Sequence, residues 1–175
     1  MKNFTKKFIS KIILVFLISV LPVSYIYSNV SAQVKEDKNI VETAKSDGRF
    51  NTLVEALNKA NLVNTLEGKG PFTVFAPTDD AFKKLPAGTL ENLLKPENKD
   101  ALKDILLYHV TKDNLSSAKI LKSDGRKLTL LNGKTANITL KNGDIFINDA
   151  KIIITDIITS NGIIHVIDAV LIPEK

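Results

Sequence analysis

The feature that most constrains this chain is a change of hydrophobic period near its middle. In the first half apolar residues recur every three or four positions, as at Phe50, Leu53 and Leu57, which is typical of amphipathic helices. Beyond Lys127 the chain consists of short β-rich runs. Asparagine-glycine pairs separate these runs at three places: Asn132-Gly133, Asn142-Gly143 and Asn161-Gly162. Because such pairs tolerate the positive φ angles of tight hairpins, they predict an antiparallel meander. The sequence therefore predicts one α+β domain over residues 38–173, with helices first and strands second.

Capping residues predict where the first helices begin and end. Asn39, followed three positions later by Glu42, has the pattern of a capping box and predicts a helix over Ile40 to Lys45. Gly48 follows as its stop signal. Later in the chain, Asn98 is interpreted as the cap of a further helix. The residues expected on one face of that helix are Leu102, Ile105, Leu106 and His109.

A short apolar strand is predicted over Phe72 to Ala76, and Pro77 ends it. Thr78 then caps the next helix, whose first turn holds Asp79 and Asp80, where carboxylates stabilise the helix dipole. A cation or acid-base site made from this pair is disfavoured, because adjacent helical residues point about 100° apart.

The first thirty-two residues have the organisation of a secretory signal peptide. Four lysines precede an apolar run from Ile12 to Tyr27, and small residues follow up to Ala32. Cleavage after Ala32 is predicted, which leaves a short segment over 33–37 before the domain. A retained membrane anchor is the alternative, since the apolar run is only slightly shorter than the about 17 to 25 residues that span a bilayer. The sequence thus predicts export to a secreted, periplasmic or extracellular location, without a stable membrane span after processing.

Charge and cysteine content exclude several function classes. The net charge is +5, but four of the lysines lie in the leading segment, which holds no acid, so the rest of the chain is almost neutral. A nucleic-acid partner is therefore not predicted. The absence of cysteine removes disulfides, thiol nucleophiles and thiolate metal sites.

Three motifs, taken in order, resemble the fasciclin domain. They are FTVFAPTDDAF at residues 72–82, LYHV at 107–110 and NGIIHVIDAVLIP at 161–173. The first and third motifs are similar to the two conserved boxes of that family, and the second is similar to its central tyrosine-histidine pair. The stretch LPAGTLENLLKPENKDAL at 85–102 extends the resemblance. The resemblance is to single-domain secreted bacterial fasciclin proteins. It implies helices packed on a wedge-like antiparallel β-sandwich and a role in adhesion.

The two boxes are interpreted as structural core, because their strands are apolar on both faces. The residues assigned to this core are Phe72, Phe75, Thr78, Phe82, Ile164, His165 and Val166.

Two candidate catalytic sites, a histidine metal site and a serine triad, are less favoured than a structural role for the same residues. A metal held by His109 and His165 would need acidic residues to complete its ligands, and both histidines lie in apolar runs that favour a buried, hydrogen-bonded ring. A triad of Ser160, His165 and Asp168 lacks a nucleophile-elbow glycine pattern. The sequence therefore predicts no enzyme activity, no metal and no cofactor.

The resemblance implies two candidate partner-binding pairs. Asp156 and Ile157 match an aspartate-isoleucine pair implicated in integrin binding by animal fasciclin domains, and Tyr108 and His109 match the tyrosine-histidine adhesion motif. A turn for Asp156 and core packing for the other residues is the competing interpretation. The predicted function is a non-enzymatic adhesion or matrix-interaction module that binds a surface or matrix protein or glycan. The alternative is a protein that binds or processes a small molecule or glycan in a pocket near the histidines.

Overall fold

The structure is a computed structural model that describes residues 38–174. The predicted signal peptide over 1–32 and the segment 33–37 lie outside the described residues. Among the helices that are described, none has the length and apolar character needed to cross a bilayer.

Seven α-helices are found in the described residues, most of them in the first half of the chain. Their bounds are α1 Ile40–Asp47, α2 Asn51–Lys59, α3 Val63–Leu66, α4 Asp79–Lys83, α5 Thr89–Leu93, α6 Lys99–Leu107 and α7 Ser117–Leu121, and a 3₁₀ turn spans Pro96–Asn98. The short helices α3 and α7 were not predicted. Each has only four or five residues, too few for an amphipathic pattern to stand out.

Seven strands form one sheet in the order β2-β1-β7-β6-β5-β4-β3. Their bounds are β1 Phe72–Pro77, β2 Val110–Thr111, β3 Lys127–Thr129, β4 Thr135–Lys141, β5 Asp144–Ile147, β6 Ala150–Thr159 and β7 Gly162–Ile167. The meander from β3 to β7 is antiparallel, as predicted, whereas β1 pairs with β7 in parallel. The expected α+β class is confirmed, and the parallel pair makes the sheet mixed.

The adjacent strands β1 and β7 separate two apolar clusters. Val74 and Ile164 face a cluster built with the helices α1, α2 and α6. Phe75 and Ile167 face a second cluster, which strands β3 to β6 and Ile120 of α7 complete. Every residue of β1 is buried, which explains its continuous apolar run.

Two predicted helix caps are confirmed in atomic detail. The Asn39 carboxamide accepts a hydrogen bond from the Glu42 backbone N–H, and the Glu42 carboxylate accepts one from the Asn39 N–H, so the capping box is complete. The Thr78 hydroxyl accepts a hydrogen bond from the Ala81 N–H at 3.2 Å.

Two local predictions are wrong. Asn98 lies at the start of α6, but its side chain donates to the Asn92 carbonyl instead of capping that helix. The last hairpin turns at Ser160 and Asn161, with Gly162 already in β7, whereas Asn142 and Gly143 do adopt positive φ as predicted. Gly162 is needed for another reason: a Cβ there would collide with the Phe72 carbonyl oxygen of the adjacent parallel strand.

Asp79 stabilises a helix other than its own. Its carboxylate accepts the Thr52 backbone N–H at 2.7 Å and the Asn51 side-chain N–H at 3.0 Å, so it caps α2, whose own N-cap residue Phe50 has no capping side chain. Burial would raise the pKa of Asp79, but these hydrogen bonds outweigh it and hold the pKa below its usual range.

We expect the Asp79→Ala variant to lose about 1 to 2 kcal/mol of unfolding free energy, as for other lost helix caps. Asp80→Ala is the matched control, because Asp80 is exposed and makes only weak interactions, an ion pair with Lys83 and a favourable contact with the α4 helix dipole. Urea unfolding of both variants measures the difference. Equal stabilities for the two variants would contradict the cap assignment.

Candidate functional site

Asp156 lies at a β-bulge in β6, next to the buried ring of His165. Its φ is +58°, and the β6–β7 register shifts between Ile154 and Ile157. The Asp156 N–H donates to His165 Nδ1 at 3.3 Å, and its carboxylate accepts the Ser117 N–H at 2.8 Å. Asp156 therefore ties β6 to the start of α7, which agrees with the turn interpretation of this residue.

The pKa of Asp156 follows from these contacts. Burial alone would raise it, but the hydrogen bonds from Ser117 outweigh burial and hold the pKa below its usual range. The carboxylate is thus held ionised at this bulge.

The two histidines are fixed in opposite tautomers. His165 Nε2–H donates to the Leu115 carbonyl at 2.7 Å while its Nδ1 accepts from Asp156. His109 Nδ1–H donates to the Ile105 carbonyl at 2.8 Å, and its Nε2 accepts the Leu171 N–H at 2.9 Å. Burial lowers both pKa values, that of His109 to about 4, against the opposing effect of the carbonyl that each ring contacts. Both rings are neutral hydrogen-bonding groups at pH 7.

Tyr108 and His109, the first candidate binding pair, are only 3% and 2% exposed. The Tyr108 hydroxyl donates to the Thr135 carbonyl at 2.8 Å and accepts from the Asn148 side chain at 3.0 Å. Both side chains are therefore engaged inside the domain and present almost no surface to a partner in this structure.

The second candidate pair lies on a partly open strand edge. Strand β5 pairs with β6 only at Lys151 and Ala150, so beyond Lys151 the outer edge of β6 has no strand partner within residues 38–174. Ile157 packs partly against the helical core. Three other isoleucines of this strand are exposed: Ile153, Ile154 and Ile158. Their exposure was not predicted, because an apolar run in a sequence favours burial.

A cleft of about 740 Å³ lies at the far end of this edge, lined by Lys69, Pro71, Asn114 and Ile158 among others. Asn161 fixes one side of it. Its side chain accepts the Ile40 N–H and donates to the carbonyls of Leu66 and Gly68, at 2.7 to 3.0 Å. The sequence predicted a turn at Asn161 but not these hydrogen bonds to residues far away in the chain.

The residues assigned to the two boxes are all buried except Thr78, which is half-buried at the start of α4. Four of them are fully buried, namely Phe75, Ile164, His165 and Val166, and two are nearly so, namely Phe72 and Phe82. The Phe75 ring stacks on the His165 ring with centroids 5.7 Å apart.

The formal triad residues are not joined by hydrogen bonds. Both ring nitrogens of His165 are already engaged, and the Asp168 carboxylate accepts instead from the Lys151 N–H and from Lys84. The cavity beside His109 has a volume of only about 10 Å³, which is about the space of one water. Within the part of the chain that the structure describes, no group of three histidine or acidic residues is placed to hold a metal ion.

Residues 48–173 match the model of the fasciclin domain family, and the chain therefore belongs to this family. It is 45% identical over 148 residues to protein sll1483 of Synechocystis sp., covering 83% of this chain and 81% of that protein. It is 46% identical over 134 residues to the uncharacterized protein sll1735 of the same organism, covering 77% of this chain and 97% of that protein.

A longer relative and a solved structure extend this result. Transforming growth factor-beta-induced protein ig-h3 of Oryctolagus cuniculus is 37% identical over 134 residues, which are 77% of this chain but 19% of that protein. The structure of a fasciclin domain pair from the insect cell adhesion molecule Fasciclin I aligns with a TM-score of 0.70 at 19% identity, over 79% of this chain and 52% of that chain. The predicted family and fold are thus confirmed.

Proposed function

We propose that this protein is an exported, non-enzymatic adhesion module that binds a surface or matrix partner through the open edge of β6. The observation that carries the proposal is the row of exposed isoleucines on a strand whose outer edge is unpaired within the described residues. Membership of the fasciclin family supports it, since a structural neighbour is described as a cell adhesion molecule. The lysine-rich start, apolar run and small-residue end of residues 1–32 support export.

The geometry of the edge favours a partner that adds an extended segment. Unpaired backbone N–H and C=O groups of an edge strand accept such a segment, and the side chains beside them supply specificity. Ile158 and Ile154 offer apolar contacts on opposite faces, because their positions in the register place them opposite Ile163 and Val166 respectively. A surface protein therefore fits this edge better than a glycan does.

The bulge at Asp156 gives this edge selectivity. A bulge interrupts regular pairing and twists the strand, which hinders association between identical edges. The carboxylate of Asp156 is held in place by Ser117, so the charge stays at a fixed point of the edge. A partner segment must accommodate both the bulge and this charge.

The alternative function, a ligand-processing pocket at the histidines, has less support. The ring nitrogens of His109 and His165 are all engaged in hydrogen bonds, and the cavity beside His109 is too small for a substrate. The proposal needs no cofactor.

The double variant Ile153→Thr with Ile158→Thr tests the proposed edge. Threonine keeps the β-branched shape while it removes apolar contact area, so we expect unchanged melting and about a tenfold loss of affinity. The measurement is retention of cell-surface and matrix material, from the organism of origin, on the immobilised full-length chain. Leu121→Thr is the matched control, because Leu121 is equally exposed but lies on α7. Undiminished retention by the double variant would contradict the proposal.

A further inference from the structure

A polar groove follows the outer side of β4, away from the β6 edge. Two cavities of about 450 and 490 Å³ lie along this strand. Both are lined by Asn137, Asn148 and Glu174, so they adjoin and form one groove. The C-terminal segment after β7 forms its opposite wall.

Hydrogen-bonding side chains line the strand wall of this groove at regular intervals. Thr135, Asn137 and Thr139 alternate with the buried residues Ala136 and Ile138, so their side chains share the outer face of β4. Within residues 38–174, these three side chains make no hydrogen bond to another protein group. Three polar groups in a row are thus left for a ligand.

Asn148 makes this wall rigid before any ligand arrives. Its side-chain oxygen accepts the Asn137 backbone N–H at 2.8 Å, and its side-chain nitrogen donates to the Tyr108 hydroxyl at 3.0 Å. The buried tyrosine therefore fixes the point where the two cavities meet, and a fixed site loses less conformational entropy on binding.

The groove is lined by equal numbers of basic and acidic side chains. Lys127 and Lys134 are opposed by Asp149 and Glu174, and Lys134 is already engaged with the Glu174 carbonyl and lies 3.8 Å from Asp104. An anionic ligand gains little from such a site, whereas a neutral ligand that both donates and accepts hydrogen bonds can use every group.

The opposite wall carries apolar side chains beside the charged Glu174. Val170 and Ile172 line the second cavity, and Ile172 is 50% exposed. A groove with hydrogen-bonding side chains on one wall and apolar side chains on the other suits a pyranose, whose hydroxyls lie at its rim and whose C–H groups form its faces.

We propose that the groove between β4 and the C-terminal segment binds a neutral oligosaccharide. Asn137 and the two flanking threonines bind its hydroxyls, and Ile172 packs against a sugar face. This site is separate from the β6 edge, so it adds a glycan contact to the protein contact proposed above and stands or falls independently of it.

Titration of the ¹⁵N-labelled full-length chain tests this site. The probes are the neutral hexasaccharides of glucan, mannan and galactan, with an oligogalacturonate of equal length as the anionic comparison. We expect at least one neutral probe to shift the amide signals of residues 135–139, and the anionic probe to bind no more tightly. If no neutral probe binds, or if only the anionic one does, the proposal is overturned.

Variants then locate the binding. Asn137→Ala combined with Thr139→Val is expected to weaken affinity for the bound hexasaccharide by about tenfold or more while melting stays unchanged. Asn64→Ala is the control, because Asn64 is an exposed asparagine on α3, no residue of which lines either cavity. Unchanged affinity in the double variant overturns the assignment to this groove, and the Ile153/Ile158 variant should bind the sugar normally.

Discussion

Replacing Phe75 with alanine is expected to lower the free energy of unfolding by about 3 to 5 kcal/mol, as for other buried phenylalanines. Phe75 is fully buried, lies in β1 between strands β2 and β7, and stacks on the His165 ring. Its removal leaves a cavity in the apolar cluster that Phe75 shares with Tyr108, Ile120 and Ile167, and the close packing of that cluster limits how far neighbours can move in to fill it. Ile164→Ala on the opposite face of the sheet is expected to cost about 2 to 5 kcal/mol for the same reason.

Urea unfolding with two spectroscopic probes measures these losses. Leu121→Ala is the control, since this exposed residue of α7 should change stability by less than about 0.5 kcal/mol. Near-wild-type midpoints for both core variants would show that the two boxes are not the structural core.

Stability is expected to fall in mild acid because of His109. Its pKa is about 4 in the folded chain, whereas an unfolded histidine titrates near 6.5. Above pH 6.5 both states are neutral at this site and the full stability is present. Between 6.5 and 4 only the unfolded state gains the proton, so stability is lost as pH falls, by roughly 3 kcal/mol in total. Thermal unfolding at half-unit steps of pH measures the slope.

The variant His109→Gln separates this effect from others. Glutamine does not titrate, so the variant is expected to be less stable at pH 7 but to have a shallower slope between pH 6.5 and 4. His165, whose pKa is also lowered by burial, contributes the slope that remains. The carboxylates with lowered pKa values, such as Asp79 and Asp156, act with the same sign but only at lower pH. A flat wild-type profile over this window would refute the buried neutral state of His109.

Features that depend on a few neighbouring residues were readable from the sequence. The capping box at Asn39 and Glu42, the Thr78 cap and the turn at Asn142 and Gly143 are each formed by residues within about three positions of one another. Local hydrogen bonding decides such features, so residue type and spacing predict them. The fasciclin resemblance was likewise contained in the order of short motifs.

The sequence predicted only part of the candidate site. It singled out Asp156 and Ile157 through the family motif, but it did not predict that the outer edge of β6 has no strand partner beyond Lys151 within the described residues or that Ile158 beside them is 54% exposed. It named Tyr108 and His109 as candidate binding residues with core packing as the competing interpretation, and the structure gives both of them buried hydrogen bonds. A motif gives the position of a side chain along the chain, not its exposure.

Contacts between residues far apart in the chain were decided only by the tertiary structure. The parallel pairing of β1 with β7 brings Phe72 beside Gly162, the Asp79 carboxylate caps α2, and Asn161 joins α1 to the end of α3. Each depends on which strand edges meet and in what register, which is set by the packing of the whole core rather than by local spacing. The sequence by itself therefore determined the family, the strand runs and the local caps, while the open edge of β6 and the groove along β4 follow from how those strands are joined.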